Sequence, residues 1–380
     1  MANIVQLPEN KPAWLEKFGI YYLRQFRAKE LTHNVFDLGD AELSRRIRRI
    51  TRKGILLSSL IGIVCVFPTV WVDIHFNSAS LFVHYGWVTA VTIVSIVIEL
   101  YVLFIIALKA VHEVSELINI HATRRELLEG GAFSVRNILA RTALEVPDPE
   151  LKILGIDPFK SVSKKDLFIL GLLYKAKIFL TNFVMKYGLT YTVGKTLLGI
   201  NILYEALPVE CFWNSVVIRR VVHEARLRLF GFALANQIAT NVINEKLLEQ
   251  LSPEAKVGCL RAIGNAVVMA QNYHPNMVIL LMRFQEILQI EQENRYDDWG
   301  MFLETLKRVS EKERNFLLDL FTVSAAFDGK LSQLEEENFR AAYQGDYDLY
   351  YPRLLKLTQY LKDGKLNAAL ELCRLDFVAG

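Results

Sequence analysis

Two long apolar runs near the N-terminus limit the possible folds of this chain more than any other feature. They cover Gly54–Trp71, which holds no charged residue, and Val88–Leu108, whose single charged residue is Glu99. Each run is close to the roughly 20 residues that an α-helix needs to cross a bilayer. The sequence therefore predicts a transmembrane helix pair over residues 54–108.

The cations around these runs predict their orientation. Residues 1–53 read as amphipathic and basic helices that end in a dense group of Arg and Lys, and Lys109 follows the second run. The connection Asp73–Gly86 contains neither Lys nor Arg. Because Lys and Arg collect in short cytoplasmic loops, we expect residues 1–53 in the cytoplasm and the connection outside. We find no cleavable signal peptide, so the first run is expected to act as the targeting signal.

The helix predicted at residues 12–33 allows two interpretations. Aromatic side chains recur there at helical spacing, with Lys and Arg between them. Such a helix either packs on the rest of the protein with one side in solvent or lies in the headgroup layer, which its aromatic and basic residues favour. The sequence leaves both open.

A second apolar block is weaker because charges interrupt it. It lies at residues 166–220, after a polar helical linker at residues 109–165. The charged residues of interest are Lys175, Lys177, Glu205 and Glu210. The block is either a pair of buried helices in a soluble domain or a helical hairpin in the membrane, and the hairpin is either fully spanning or re-entrant.

The positions of these charges favour the membrane hairpin. A turn at residues 189–190 places Lys175 and Glu205 at matching depths, roughly 21–23 Å from the turn at about 1.5 Å per residue. Charges inside a membrane are costly and usually pair or line a polar cavity. We therefore expect a contact between Lys175 and Glu205. The predicted fold is all-α: a polytopic membrane protein with four membrane or membrane-embedded helices and a soluble helical domain.

Glu99 is the most informative single residue of the second run. An ionisable side chain inside an apolar span, near its middle, is a functional-site candidate by default. Its expected partners are Lys175, Lys177 and Asn182 of the third membrane helix. The candidate intramembrane polar site thus comprises Glu99, Lys175, Lys177, Glu205 and Glu210.

The last third of the chain holds two helix–turn–helix units of similar pattern. The first turns at residues 271–276 and the second at residues 328–332, which read Asp-Gly-Lys-Leu-Ser. At this second turn the chain resembles the TerB-like family, a group of bacterial all-helical domains named for tellurite resistance. The residues that carry the resemblance are Asp328, Gly329, Ser332 and Glu335.

The TerB-like turn also has a local physical logic. Gly329 permits the tight turn, while Ser332 and Glu335 have the spacing of a capping box for the next helix. Members of the family have been thought to bind metal through such acidic turns. The first unit has Val278 where that pattern has Glu, so we expect a structural turn and no metal site.

The two resemblances divide the rest of the chain. The TerB-like likeness implies a helical domain at residues 221–345, followed by further helices at residues 346–380. Residues 206–214 are similar to the apolar hairpins of EcsC-like bacterial membrane proteins, and no activity follows from that similarity. Both likenesses imply a bacterial protein, and we expect the bacterial inner membrane as its location, with both termini in the cytoplasm.

Composition and motifs argue against several classes of function. The 44 basic and 41 acidic residues nearly cancel and form no basic domain that would bind nucleic acid. The four cysteines lack CxxC spacing, which argues against a disulfide framework or a zinc site. Residues 188–196 look like a P-loop but have one residue too many between the glycines.

Catalytic motifs are also absent from the sequence. It contains no GxSxG or HExxH pattern. His112 and Glu116 lie one helical turn apart, but no third ligand is fixed beside them, so we expect a solvated helix face there. We therefore predict a protein without cofactor and without enzymatic activity.

The function predicted from these features is that of a membrane protein whose cytoplasmic TerB-like domain senses or recruits a partner, in a stress context implied by the resemblance. Its partners are the lipid bilayer and, because membrane helices this polar rarely stand alone, other copies of the chain. The alternative is an oligomeric ion channel or transporter in which the intramembrane Glu and Lys residues line a polar path. A wholly soluble helical protein is the third class.

Overall fold

A computed structural model of the 380-residue chain describes most of the N-terminal and C-terminal regions. The described residues are 14–26, 35–76, 78, 80–118, 135–144, 156, 202–243, 245–271, 274–290, 296–331, 333–373 and 375. Throughout these residues the chain is α-helical and contains no β-strand, which confirms the predicted all-α class.

The helices are numbered here in chain order. Their bounds are α1 Trp14–Gln25, α2 Asp40–His75, α3 Leu81–Leu117, α4 Val135–Ala143, α5 Ile202–Gln237, α6 Glu245–Gln250, α7 Pro253–Ala270, α8 Pro275–Leu288, α9 Trp299–Arg308, α10 Glu311–Ala326, α11 Gln333–Tyr343, α12 Tyr347–Asp363 and α13 Leu366–Leu372. One π-helical turn, Ile238–Val242, follows α5.

Helices α2 and α3 form an antiparallel hairpin, referred to below as the α2–α3 hairpin. At one end, which we call the basic end, Lys53 Nζ lies 2.7 Å from Glu113 Oε1. Towards the other end, Thr92 donates to Thr69 at 3.5 Å. The α2 residues on the buried side of the hairpin are small or short: Gly54, Ser58, Gly62, Cys65 and Thr69. Small residues at every third or fourth position allow helix backbones to approach closely, which is how membrane helices commonly pack.

The outer surface of the α2–α3 hairpin is an exposed apolar belt. Its large exposed side chains include Leu56, Leu60, Phe67, Trp71 and Ile74 on α2 and Leu81, Phe82, Trp87, Val97 and Tyr101 on α3. The stretches Leu56–Ile74 and Leu81–Tyr101 rise about 27 to 30 Å at about 1.5 Å per residue. That height matches the roughly 30 Å hydrocarbon core of a bilayer.

Two helices of the described part, α2 and α3, are long and apolar enough to cross a membrane. The expectation of four membrane helices is therefore not supported, and residues 166–201 of the predicted second hairpin lie outside the described residues. The exposed part of α3 also differs from the predicted span. It covers Leu81–Tyr101, whereas Leu103, Ala107 and Leu108 are buried by protein.

Helix α1 lies against the basic end of this belt. Its Phe18 ring is 5.9 Å from the ring of Tyr101 on α3, and the hydroxyls of Tyr22 and Tyr101 are hydrogen-bonded. On its other side, Glu16 accepts a hydrogen bond from the buried Arg141 of α4 at 3.2 Å. The aromatic residues of α1 thus have packing partners at the end of the apolar belt, as both interpretations of this helix allow.

The C-terminal helices form a domain around buried aromatic rings and around the second half of α5. Its caps follow local sequence rules: Ser252 accepts from Ala255 N ahead of Pro253, and Ser310 with Glu313 forms a capping box at α10. Helix α5 runs without interruption through the boundary predicted at residues 220 and 221. The same helix therefore packs on both the α2–α3 hairpin and the C-terminal domain.

The C-terminal end of the chain is attached to the start of α2. The carboxylate of Asp40 accepts hydrogen bonds from Asn367 N at 2.9 Å and from Ala368 N at 3.2 Å, which caps the first turn of α13. The side chain of Asn367 in turn donates to Leu38 O at 2.7 Å. The C-terminal domain thus packs on residues 40–53 of α2, which precede the belt and which we call the basic extension.

Candidate functional site

The candidate site is a buried polar contact where α2, α3 and α5 meet. The Asn214 side-chain amide of α5 donates to Glu99 Oε1 of α3 at 2.7 Å and to the carbonyl oxygen of Ser58 on α2 at 3.2 Å. Glu99 is 4% exposed and Asn214 is 2% exposed. One amide group therefore holds three helices together through hydrogen bonds that water does not reach.

A second group of small polar residues lies beside this contact. Ser59 Oγ is 3.2 Å from Ser215 Oγ and donates to Cys211 O at 3.4 Å. Ser215 Oγ donates to the same oxygen, Cys211 O, at 2.6 Å. These residues are one helical turn apart on α5, so a narrow polar strip of that helix faces α2.

The depth of Glu99 differs from its position in the predicted span. The exposed belt on α3 ends at Tyr101, only two residues beyond Glu99, and the belt on α2 begins at Leu56, two residues before Ser58. Glu99 and Ser58 are therefore near the basic end of the belt and not near its middle. At that depth the buried Glu99 side chain accepts a hydrogen bond from Asn214.

Glu99 was predicted from the sequence as a polar site residue, whereas its partner Asn214 was not. The expected partners Lys175, Lys177 and Asn182 lie outside the described residues, and so does the predicted Lys175–Glu205 contact. Glu205 and Glu210 are part of helix α5. The missed signal was the spacing of Cys211, Asn214, Ser215 and Ile218, which repeats at three and four residues like a single helix face.

Farther along α5, both helix–turn–helix units contact the same helix. The Asn276 amide, from the first unit, donates to Leu227 O of α5 at 3.2 Å and to Phe327 O of the second unit at 3.0 Å. Asn276 fits because residue 231 is Gly: a Cβ atom there would lie 2.0 Å from the Asn276 side-chain nitrogen. One buried amide at the start of α8 therefore links α5 to the residue that follows α10.

The turn at Asp328 and Gly329 packs on α5 at the same place. Asp328 Oδ1 accepts from Lys330 N at 2.8 Å, and Gly329 has a φ of 68°, a conformation that favours glycine. The Leu227 side chain of α5 fills the space beside Gly329. Ser332 is outside the described residues, so its predicted capping role stays a prediction. Glu335 is fully buried.

Next to this turn, α5 carries an ion pair between Glu224 and Arg228. Burial disfavours the ionised form of Glu224, but nearby positive groups outweigh that effect and lower its pKa to about 2. The strongest of these groups is Arg228, whose Nε is 2.8 Å from Glu224 Oε1, and His274 and Lys330 add to it. Glu224 is therefore ionised at neutral pH and forms an ion pair with Arg228 on the same helix.

The polar residues of this site join helices to one another. Among the residues that the structure describes, no group of three or more His, Cys, Asp or Glu side chains is placed to hold a metal ion. His112, expected on a solvated face, is instead buried at 9% exposure. At the junction of α2, α3 and α5, the polar groups that converge are the Asn214 amide, hydroxyls and the Glu99 carboxyl, and they join these helices.

Comparison with known proteins does not place this chain in a family. No protein-family model matches the sequence, and no curated protein or solved structure matches it significantly.

Proposed function

We propose that this chain is a non-enzymatic protein of the bacterial inner membrane whose TerB-like cytoplasmic domain senses or recruits a protein partner. Helices α2 and α3 form the membrane anchor, with the Lys- and Arg-free connection outside. Asn214 and Glu99 form the point at which the anchor holds α5, and Asn276 forms the point at which α5 holds the C-terminal domain.

One observation carries this proposal: α5 is a single helix, Ile202–Gln237, that takes part in both contacts. Asn214 and Leu227 are separated by 13 positions, or about 20 Å along the helix axis. A helix of that length transmits a shift or rotation as one body, because its backbone hydrogen bonds are internal. A change at the membrane anchor would therefore reach both turns of the C-terminal domain.

The membrane location has two independent supports. The height of the apolar belt matches a bilayer core, and the basic extension of α2 lies next to the belt on one side only. Because Asp40 caps α13, the C-terminal domain lies on the same side as that basic extension. The positive-inside rule then assigns the domain to the cytoplasm.

The coupling is tested by replacing the amide at the membrane anchor. We expect Asn214→Leu to raise hydrogen–deuterium exchange at residues 277–281 and 327–330, measured by mass spectrometry on protein in lipid nanodiscs. Allosteric coupling energies are typically about 1–3 kcal/mol, so the expected acceleration is about fivefold or more. The matched control is Val216→Leu, a conservative change on the exposed side of α5, which should leave exchange unchanged.

Two outcomes decide this test. If the folded Asn214→Leu protein shows wild-type exchange at both turns, α5 does not couple the anchor to the domain and the proposal fails. If exchange rises equally in every helix, the variant has lost global stability, and the comparison is repeated with Asn214→Gln, which keeps the amide.

The alternative function, an oligomeric channel or transporter, is favoured by one observation: Glu99 is an ionisable residue within the height of the apolar belt. A conducting protein should show ion flux in liposomes that Glu99→Gln alters. The recruiting function predicts no flux above that of empty liposomes for either protein.

A further inference from the structure

A cavity of about 520 Å³ lies at the basic end of the α2–α3 hairpin, apart from the Glu99 contact. Its ionisable lining residues are Lys53, Lys109, His112, Glu113 and Glu116, and the end of α1 contributes Gln25 and Phe26. The function proposed above does not use these residues.

The cavity lies at the depth of lipid headgroups. Lys53 is three residues beyond Leu56, where the belt begins, which is about 4.5 Å along α2. Lys109 is eight residues beyond Tyr101, about 12 Å along α3, but helical side chains lean towards the N-terminus of their helix and so back towards the belt. The headgroup region adds roughly 5 to 8 Å to each side of a bilayer core, and both ammonium groups can reach it.

The cavity wall carries both signs of charge in balance. Lys53 and Lys109 are two cations, and Glu113 and Glu116 are two carboxylates. Lys53 Nζ contacts Glu113 Oε1 at 2.7 Å, whereas Lys109 is exposed and makes no ion pair with any described residue. A ligand that carries one negative and one positive group would complement this wall.

His112 provides an independent sign of a ligand. The residue is buried at 9% exposure, its side chain is 11% exposed, and its Nε2 atom makes no hydrogen bond to any described residue. The nearest carboxylate oxygen, Glu116 Oε1, is 3.6 Å away, beyond hydrogen-bond distance. The other side of the ring packs against Phe26, with ring centroids 5.3 Å apart. This ring nitrogen therefore has an ion-pair contact with Glu116 but no hydrogen bond, and a ligand group in the cavity would supply one.

We propose that this cavity binds the headgroup of a phospholipid with a phosphate and a primary ammonium, that is, a phosphatidylethanolamine-type lipid. Lys53, Lys109 and His112 contact the phosphate oxygens through charge-assisted hydrogen bonds. Glu113 and Glu116 accept N–H bonds from the ammonium. The inference rests on the membrane location proposed above, and it names the lipid that the anchor prefers.

The chemistry of the wall distinguishes this headgroup from its common relatives. A quaternary ammonium, as in phosphatidylcholine, has no N–H to donate to the carboxylates. Phosphatidylglycerol has a phosphate but no cation, so it leaves two carboxylates beside an anionic ligand. We therefore expect phosphatidylethanolamine to bind more tightly than either of these lipids.

The test is native mass spectrometry of the full chain in detergent, titrated separately with phosphatidylethanolamine, phosphatidylglycerol and water-soluble glycerophosphoethanolamine. We expect Lys109→Gln to weaken phosphatidylethanolamine binding about tenfold, as for loss of one charge-assisted contact. Lys109→Arg keeps the charge and should bind within about twofold of wild type. Arg52→Gln, which removes an exposed cation next to Lys53 on α2 but outside the cavity lining, should leave binding unchanged.

A second variant tests the ammonium half of the cavity. Glu113→Gln should reduce the preference for phosphatidylethanolamine over phosphatidylglycerol, since it removes the negative charge that discriminates them. Equal binding of the two lipids to wild type, or an unchanged affinity in Lys109→Gln, overturns the inference. Equal affinity for glycerophosphoethanolamine and the lipid overturns the lipid as the source of the headgroup.

The membrane location can fail separately. If the protein is released from cell membranes by carbonate without detergent, the location is wrong. If it stays in the membrane and Lys109→Gln binds as wild type does, only the headgroup site is wrong.

Discussion

At the scale of single residues, two buried side-chain amides join helices from different parts of the described structure. Asn214 joins three helices at the edge of the apolar belt, and Asn276 joins α5 to both helix–turn–helix units. A buried amide left without its partners destabilises a fold more than its hydrogen bonds stabilise it. These two positions therefore have little freedom to change.

The fit of Asn276 gives a prediction about its neighbour on α5. Gly231→Ala would place a Cβ atom 2.0 Å from the Asn276 side-chain nitrogen, so the amide must leave Leu227 O or Phe327 O. Overpacking of this kind costs about 1–3 kcal/mol. We expect a clear fall in the melting temperature of the C-terminal domain, measured by intrinsic fluorescence on the protein in detergent.

Gly345→Ala is the control for this change, because a Cβ atom at residue 345 meets nothing within 4 Å. Its melting temperature should stay close to that of wild type. A Gly231→Ala protein as stable as Gly345→Ala would show that Asn276 does not occupy the space beside α5.

At the scale of helices, the length of the apolar runs was predictable from the sequence. The way the helices pack on one another was not. The two runs around Gly54–Trp71 and Val88–Leu108 correspond to α2 and α3, because hydrophobic length is a local property. Which part of α3 is exposed depends on α1, α4 and α5, whose packing no local pattern encodes. The exposed part of α3 ends at Tyr101, seven residues before the end of the predicted span at Leu108.

The candidate site shows the same division between local and long-range information. Glu99 was recognisable because a charge in an apolar run is conspicuous in any window of sequence. Asn214 follows Glu99 by 115 positions in the chain, and its role depends on α5 packing against α2. The turn at Asp328 and Gly329 was predictable because its hydrogen bond and its positive φ are set within a few residues.

The contact between α2 and α5 can be tested directly by cross-linking. Ser59 Oγ and Ser215 Oγ are 3.2 Å apart, so Ser59→Cys with Ser215→Cys should form a disulfide under mild oxidation in membranes. Replacing Cys211 by Ser avoids a competing thiol. Mass spectrometry of the linked peptides should find the bond in most chains.

The matched control pairs Ser215→Cys with Leu60→Cys, because Leu60 is exposed on the belt. This pair should remain reduced under the same oxidation. If both pairs cross-link equally, α5 does not pack on one defined face of α2 and the proposed coupling loses its basis.

At the scale of the whole molecule, the C-terminal helix α13 contacts the first residue of α2. The exposed belt of α2 and α3 leads at one end into the basic extension of α2, and α13 is capped there by Asp40. The anchor, α5 and the C-terminal domain thus share one end of the molecule. Proposed copies of the chain in an oligomer would meet through the belt or through this end.

The most direct test of this architecture is the side of the membrane that each end occupies. Ser78, in the connection between α2 and α3, and Gln359, on α12, are both exposed. Single variants Ser78→Cys and Gln359→Cys are treated with a membrane-impermeant maleimide in intact spheroplasts and again after lysis, with wild type as the baseline. We predict that Ser78→Cys is labelled in intact spheroplasts and that Gln359→Cys is labelled only after lysis. Labelling of both, or of neither, before lysis would contradict a hairpin that crosses the membrane and leaves the C-terminal domain in the cytoplasm.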